Sequence, residues 1–352
     1  MKKFVVMYHK FCFDGFCSAA IAHLYFTQLN KYVDVPQQFH IDYFPVIAGH
    51  SEEAVNILIE KYPKDVKVLS FDLSFSFQAA VNLLTYFPEA QIVDHHKTTY
   101  DKCFVDLHDA DILEMFKKRL HFDNDHSGAA LAFKFFFNDK HIPPLVQYVQ
   151  DRDLWAWKMS DSKAINAGLY RNLSMHYTNE GDFKEQSPIS FINADITFGA
   201  IDGKIPVFDK WISWMVDNSW MEKIKEEGNI VNDIQGKVIK RLYKSGKNLM
   251  IDNNKVFAVN ANSFISELGN TICEWTEKDG SPSYNYALIW RYDGQTDTCY
   301  VSLRSLQGTD NDVEVVAKNN GGGGHVNAAG FEMKLDVLFK VFNSGTWNLE
   351  TE

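Results

Sequence analysis

Val66 to His96 reads VKVLSFDLSFSFQAAVNLLTYFPEAQIVDHH. Val66 to Phe71 is an apolar run of strand length, Phe77 to Phe87 carries helical spacing, and Gln91 to Val93 is again short and apolar. A strand, a helix and a second strand in that order predict a parallel βαβ unit. Both strands empty into polar residues, Asp72 after the first and Asp94, His95 and His96 after the second. Open α/β sheets bind their ligands at the carboxyl ends of the strands, and adjacent imidazoles beside a carboxylate are metal-binding chemistry. Singly, Asp72 is equally a helix N-cap and the triplet equally a solvated turn, so the other strand ends must decide.

The same alternation extends in both directions. Phe4 to Tyr8 and Phe39 to Phe44 read as strands, and Ser18 to Leu29 and Ser51 to Tyr62 as helices. Gly128 to Phe137 and Pro144 to Gln150 read as two more helices. The expected fold class is α/β, with a mostly parallel sheet and flanking helices. From Ser160 to Pro206 periodicity fades into polar, glycine-containing stretches expected to be loops and an insertion. Trp211 to Tyr243 predicts an amphipathic helix interrupted near Gly228, with Trp211, Trp214, Met215, Trp220 and Ile224 as packing positions. A smaller α+β unit begins near Lys247. Its strands are Val256 to Ala261, Tyr286 to Tyr292, Cys299 to Arg304 and one near Phe331; its helices are Ser266 to Trp275, Val313 to Lys318 and one at the end. The expected domains are therefore 1–206, a helical linker over 207–246, and 247–352.

Composition narrows the partners. Lysine and arginine number 35 against 46 acidic residues, a net charge of −11, which repels long polyanions and leaves room only for a short, locally held nucleic acid. Hydrophobic content of 45% with 23% charged residues is that of a globular protein rather than a membrane one. Cys12, Cys17, Cys103, Cys273 and Cys299 form neither a CxxC pair nor a secreted disulfide pattern, which points to the cytoplasm. Met-Lys-Lys-Phe-Val-Val-Met-Tyr-His imitates the start of a signal peptide, but its apolar run stops at His9 and reads as the first strand. Nothing here fixes an oligomeric state.

Polar strand ends recur through the first half. The first strand delivers His9 and then Asp14 with Gly15; the later ones deliver Asp72 and the 94–96 triplet; the helix from Pro144 delivers Asp151 and Asp153. A parallel sheet can gather all of these at one edge. Imidazole with carboxylates suits Mn²⁺, Mg²⁺ or Zn²⁺.

The chain resembles the DHH phosphoesterase superfamily with its DHH-associated C-terminal domain. His9 to Ala19 (HKFCFDGFCSA), Phe71 to Ser74, Val93 to His96 and Val149 to Trp155 look like that family's four N-terminal motifs. Tyr300 to Ser305 (YVSLRS) and Gly321 to Phe331 (GGGGHVNAAGF) look like its C-terminal ones. The resemblance implies a Mn²⁺-dependent phosphoric ester hydrolase that uses metal-activated water in a cleft between its two domains. It implies metal ligands at His9, Asp14, Asp72, His95 and Asp151, with Asp72 bridging. His96 is then expected to face the phosphate or protonate the leaving oxygen, and Asp94 to orient a ligand histidine. Where the family commonly has an aspartate in its first motif, this chain has Cys12. It is either a softer ligand for a weaker metal site or a small packing residue.

In the C-terminal unit, the consecutive Gly321, Gly322, Gly323 and Gly324 allow backbone amides to converge on an anion. His325 and Arg304 add phosphate donors, and Asn327 and Ser302 are expected to add polar contacts. The leading expectation is a phosphodiesterase of short oligonucleotides or dinucleotides, a nanoRNase-like exonuclease. Alternatives are a 3′-phosphoadenosine 5′-phosphate phosphatase, a pyrophosphate or polyphosphate hydrolase, and a nucleotide-binding sensor without turnover. Aromatic content of 14% supplies stacking surfaces, with no single ring marked out.

Overall fold

The computed structural model describes residues 2–10, 12–32, 38–47, 49–104, 109–138, 140–172 and 208–348. The first half folds as the alternation requires: β1 (Lys2–His9), α1 (Phe13–Asn30), β2 (Phe39–Val46), α2 (Ser51–Lys61), β3 (Lys67–Phe71), α3 (Phe77–Tyr86) and β4 (Gln91–Asp94). Two short helices that weak periodicity concealed, α4 (Lys97–Phe104) and α5 (Ala110–Arg119), lead to β5 (Leu120–Phe122). The strands form one sheet in the order β2-β1-β3-β4-β5, every pair parallel. Chain order reverses between β1 and β3, and a crevice opens at such a switch point, just outside the carboxyl ends of those strands.

Both faces of this sheet are buried, so its strands read as nearly continuous apolar runs. Val6 and Tyr8 of β1 join one core with residues of α1, of α6 (Gly128–Phe137) and of α7 (Pro144–Asp153). Val5 and Met7 point the opposite way, into a second core beneath α2 and α3. After α7 comes α8 (Ser162–Asn172), an ordered helix where loops are expected; its Ala164, Ile165 and Leu169 are buried. Residues 173–207 of the expected insertion lie outside the described residues.

The expected Trp211 to Tyr243 helix is two helices, α9 (Asp209–Val216) and α10 (Met221–Tyr243), and the break falls at 217–220 rather than near Gly228. Gly228 sits inside α10 because any Cβ there would collide with the Ala164 carbonyl. It is a close-approach glycine, not a breaker. The chain divides into two compact units within α10, Met1–Val231 and Asn232–Glu352.

The second unit comprises β6 (Lys247–Ile251), β7 (Asn254–Asn260), α11 (Ile265–Cys273), β8 (Tyr286–Asp293), β9 (Thr298–Arg304), α12 (Val313–Asn319), β10 (Gly323–His325), β11 (Ala328–Met333) and α13 (Leu335–Ser344). Its sheet runs β10-β11-β9-β8-β7-β6 and is mixed, with only β7 and β8 parallel. Among the described residues no helix is long and apolar enough to cross a membrane.

Candidate metal centre

The carboxyl ends of β1, β3 and β4 converge with the start of α1 and the end of α7. His9 is the last residue of β1, and Asp14 lies in the first turn of α1, which begins at Phe13, four positions further along. Gly15 makes this possible, because a Cβ there would run into the backbone of His9. Asp72 follows β3 in a left-handed backbone conformation (φ 54°), a strained state that tertiary contacts must sustain. It is not the cap of α3; Ser76 takes that role by accepting from the Ala79 amide.

Three overlapping sets of donors can each hold a cation: His9 with Cys12 and Asp72; Asp72 with His95 and His96; and Asp14 with His95 and Asp153. His95 stands at the middle. Its Nε2 is 3.1 Å from Asp72 Oδ1, 3.6 Å from Asp153 Oδ2 and 3.8 Å from Asp14 Oδ2. On the far side of Asp72, Oδ2 lies 3.7 Å from His9 Nδ1 and is buried with no hydrogen-bond partner. A buried, unpartnered carboxylate oxygen is costly, and a cation is the partner that removes the cost.

The charges make the same point. Burial, and then Asp153 and Asp72 facing it, push Asp14 well above the ordinary carboxylate range. They do so although the Gly128 and Ala129 amides at the N-terminus of α6 both donate to it. Asp153 is raised as well, by burial first. Burial alone would raise Asp72, but the imidazoles of His9 and His95 beside it outweigh burial and hold that carboxyl low. Burial would lower His95; its three carboxylate neighbours instead raise it well above the usual imidazole value. Three carboxylates around one imidazole leave an excess of negative charge that divalent cations would neutralise.

Cys12 stands with His9 and Asp72 as the third donor of their set. Burial, followed by Asp72, Asp153 and Asp14, pushes its thiol well above the ordinary range, so it becomes a thiolate only with a cation beside it.

Two expected roles shift. Asp94 Oδ1 accepts from Nδ1 of His96 at 2.7 Å, so the histidine it orients is His96 and not His95. Asp151, the expected ligand, is turned away: its two oxygens accept from the Lys158 and Met159 amides, at 2.8 and 3.2 Å, and belong to none of the three donor sets. Asp153 stands at the cluster instead, its side chain 23% exposed. Gly128 escaped sequence reading altogether. A Cβ on it would lie 2.5 Å from Asp72 Cβ and 2.8 Å from Asp14 Oδ2. It is the space in which the two carboxylates meet.

In the second unit, the alternation of β9 puts Tyr300, Ser302 and Arg304 on one face and buries Cys299, Val301 and Leu303 on the other. His325, Ala328 and Arg304 form one cross-strand row, with Gly323, Gly330 and Ser302 in the next. Arg304 and His325 therefore flank a floor of small residues two strand spacings wide, roughly 10 Å. The Arg304 stem packs over Gly269, and its guanidinium donates to Ser266 Oγ (3.0 Å) and the Leu303 carbonyl (2.8 Å). The glycine run is not a freestanding nest. Gly323 and Gly324 pair with Gly330 and Ala329 as the edge of the sheet, while Gly321 (φ 81°) and Gly324 (φ 146°) take backbone conformations that side chains disfavour. Gly322 and Gly324 also sit too close to the carbonyls of Gly330 and Ala328 for a Cβ. The side-chain N–H groups of Asn327 are spent within the chain, donating to Ser305 Oγ and the Leu306 carbonyl.

No family model matches the chain. Uncharacterized protein R106 of Acanthamoeba polyphaga mimivirus is 29% identical over 332 residues, covering 93% of this chain and 66% of that protein, so the chain spans just under two thirds of its length. Among solved structures it is similar to a pGpG-specific phosphodiesterase, PggH, from Vibrio cholerae, with 11% identity, a TM-score of 0.45, and 98% and 97% of the two chains covered. It is also similar to a putative family II inorganic pyrophosphatase from Methanococcus jannaschii, with 12% identity, a TM-score of 0.28, and 97% and 99% covered. Likeness this distant leaves the activity to be argued from the site.

Proposed function

We propose that the protein is a metal-dependent phosphodiesterase that hydrolyses short oligonucleotides or dinucleotides, of the kind its DHH-like motifs imply. The observation that carries the reading is Asp72. One of its oxygens faces His95 and the other, buried and unpartnered, faces His9, as a carboxylate shared by two cations would. His9, Cys12 and Asp72 would hold one divalent ion, and Asp72, His95, Asp14 and Asp153 the other. Manganese is the ion to test first, and the Cys12 sulfur favours a softer ion at its own site. Bound there, the pair would supply Lewis acidity toward phosphoryl oxygens and lower the pKa of water.

The chain's own residues do the rest. Asp94 fixes the ring of His96 and, against the effect of burial, raises its pKa, which suits it to hand a proton to the departing oxygen. The α6 N-terminus holds Asp14 in place through two amides. Arg304 and His325, flanking their small-residue floor, suit a terminal phosphate, as charge-assisted donors would.

Incubation with Mn²⁺ and labelled linear dinucleotides, cyclic dinucleotides, 3′-phosphoadenosine 5′-phosphate and polyphosphate tests the reading. Turnover of the linear dinucleotides in preference to the others is expected. Turnover of polyphosphate alone, or tight binding of a nucleotide without turnover, would replace it.

A further inference from the structure

The chain has eight tryptophans. Six of them, Trp211, Trp214, Trp220, Trp275, Trp290 and Trp347, lie in or pack against the hydrophobic cores. Trp155 and Trp157 join none of those clusters; both are half-buried, their rings in mutual edge contact at 4.9 Å.

Their position is built with care. The Asp151 carbonyl accepts from the Ala156 and Trp157 amides while its carboxylate accepts from Lys158 and Met159, so the loop leaving α7 is wound about that one residue. Within it Trp155 (φ 53°) and Trp157 (φ 51°) both hold left-handed backbone, which a bulky side chain adopts only under constraint. Trp157 Nε1 is buried with no acceptor. Lys163 Nζ lies 5.6 Å from the Trp157 ring, the range of a cation–π contact. Trp155 is two residues from Asp153, so their Cα atoms are at most about 7.6 Å apart. Asp153 in turn is 3.6 Å from His95.

From this we infer that Trp155 and Trp157 form a stacking platform for a nucleobase of the substrate, next to the phosphate at the metal centre, and set the preference for nucleotides over base-less phosphodiesters. The inference rests on the phosphodiesterase reading and names its substrate class. Indole faces accept any base, so the platform selects the presence of a base and not its identity. Left-handed backbone held at two tryptophans one residue apart, neither of them in a core cluster, fits a surface kept for a ligand.

The test compares binding of a labelled 5′-phosphorylated adenine dinucleotide, phosphorothioate-linked to slow cleavage, with that of the same molecule lacking its bases. Wild type, Trp155→Ala, Trp157→Ala and Trp155→Phe are titrated with Mn²⁺ present, after circular dichroism has shown each to be folded. The wild type is expected to favour the intact dinucleotide roughly ten-fold or more. That ratio should collapse toward one in Trp155→Ala or Trp157→Ala and survive in part in Trp155→Phe. No preference in the wild type, or a preference undiminished in both alanine variants, overturns the inference. Cleavage of the unmodified dinucleotide, run alongside, separates the two claims: a base preference without cleavage leaves the platform standing and removes the phosphodiesterase.

Discussion

Gly128→Ala adds one methyl group to a site from which it removes no ligand. The new Cβ would stand 2.5 Å from Asp72 Cβ, 2.8 Å from Asp14 Oδ2 and 3.0 Å from Asp72 Cγ, where ordinary contact begins at 3.4 Å. Asp72 must retreat by about 0.9 Å, while metal ligands tolerate about 0.2 Å. Neither aspartate can give way cheaply, since both side chains are 1% exposed. Overpacking of this kind costs about 1–3 kcal/mol, offset by up to about 1 kcal/mol for replacing a helical glycine, so the melting temperature should fall by a few degrees. Manganese affinity, read by calorimetric titration of chelator-stripped protein, should fall by ten-fold or more. Gly236→Ala is the control: nothing lies within 4 Å of that Cβ, so stability should rise by about 0.5–1 kcal/mol with metal binding intact. Manganese affinity within two-fold of wild type in Gly128→Ala would refute the packing argument.

Asp151→Ala removes the acceptor of two loop amides and should cost about 3 kcal/mol or more in denaturant unfolding while sparing most metal binding. Asp153→Asn should do the reverse, weakening metal binding at little cost in stability. Cys12→Asp should raise manganese affinity at the His9 site and reduce that for zinc, as competitive metal titration would read; an unchanged preference would mean that Cys12 only packs. Burial, which outweighs Asp209, lowers the pKa of His23, so the unfolded chain protonates first as pH falls below about 6.5. That histidine's contribution is therefore full above pH 6.5 and lost on acidification, and the wild type should lose more stability between pH 7.5 and 5.5 than His23→Gln does.

The parallel sheet was legible because strands buried on both faces leave nearly continuous apolar runs, as in Val5 to Tyr8, and because β3 and β4 empty into polar residues at one edge. The choice between Asp151 and Asp153 was not. Two residues along a helix differ by about 200° in direction, so the pair announces that one faces the site without saying which. The answer depends on a loop beyond the helix that spends its amides on Asp151. Gly128 was illegible for a related reason: its constraint comes from side chains 56 and 114 positions away in sequence, and nothing local to a helix start reports them. Gly228, read as a break, is held by contact with α8, again a partner the local pattern does not contain. Tryptophans 155 and 157 carried no periodicity to mark them; their exclusion from the cores is visible only once the cores are known.

The shared role of Asp72 is the centre of the account, and the number of ions bound measures it most directly. Elemental analysis after equilibrium dialysis against saturating Mn²⁺ should find two ions per chain in the wild type and at most one in Asp72→Asn, whose side chain tolerates the same left-handed backbone. One ion or none in the wild type, or two retained in Asp72→Asn, would contradict it.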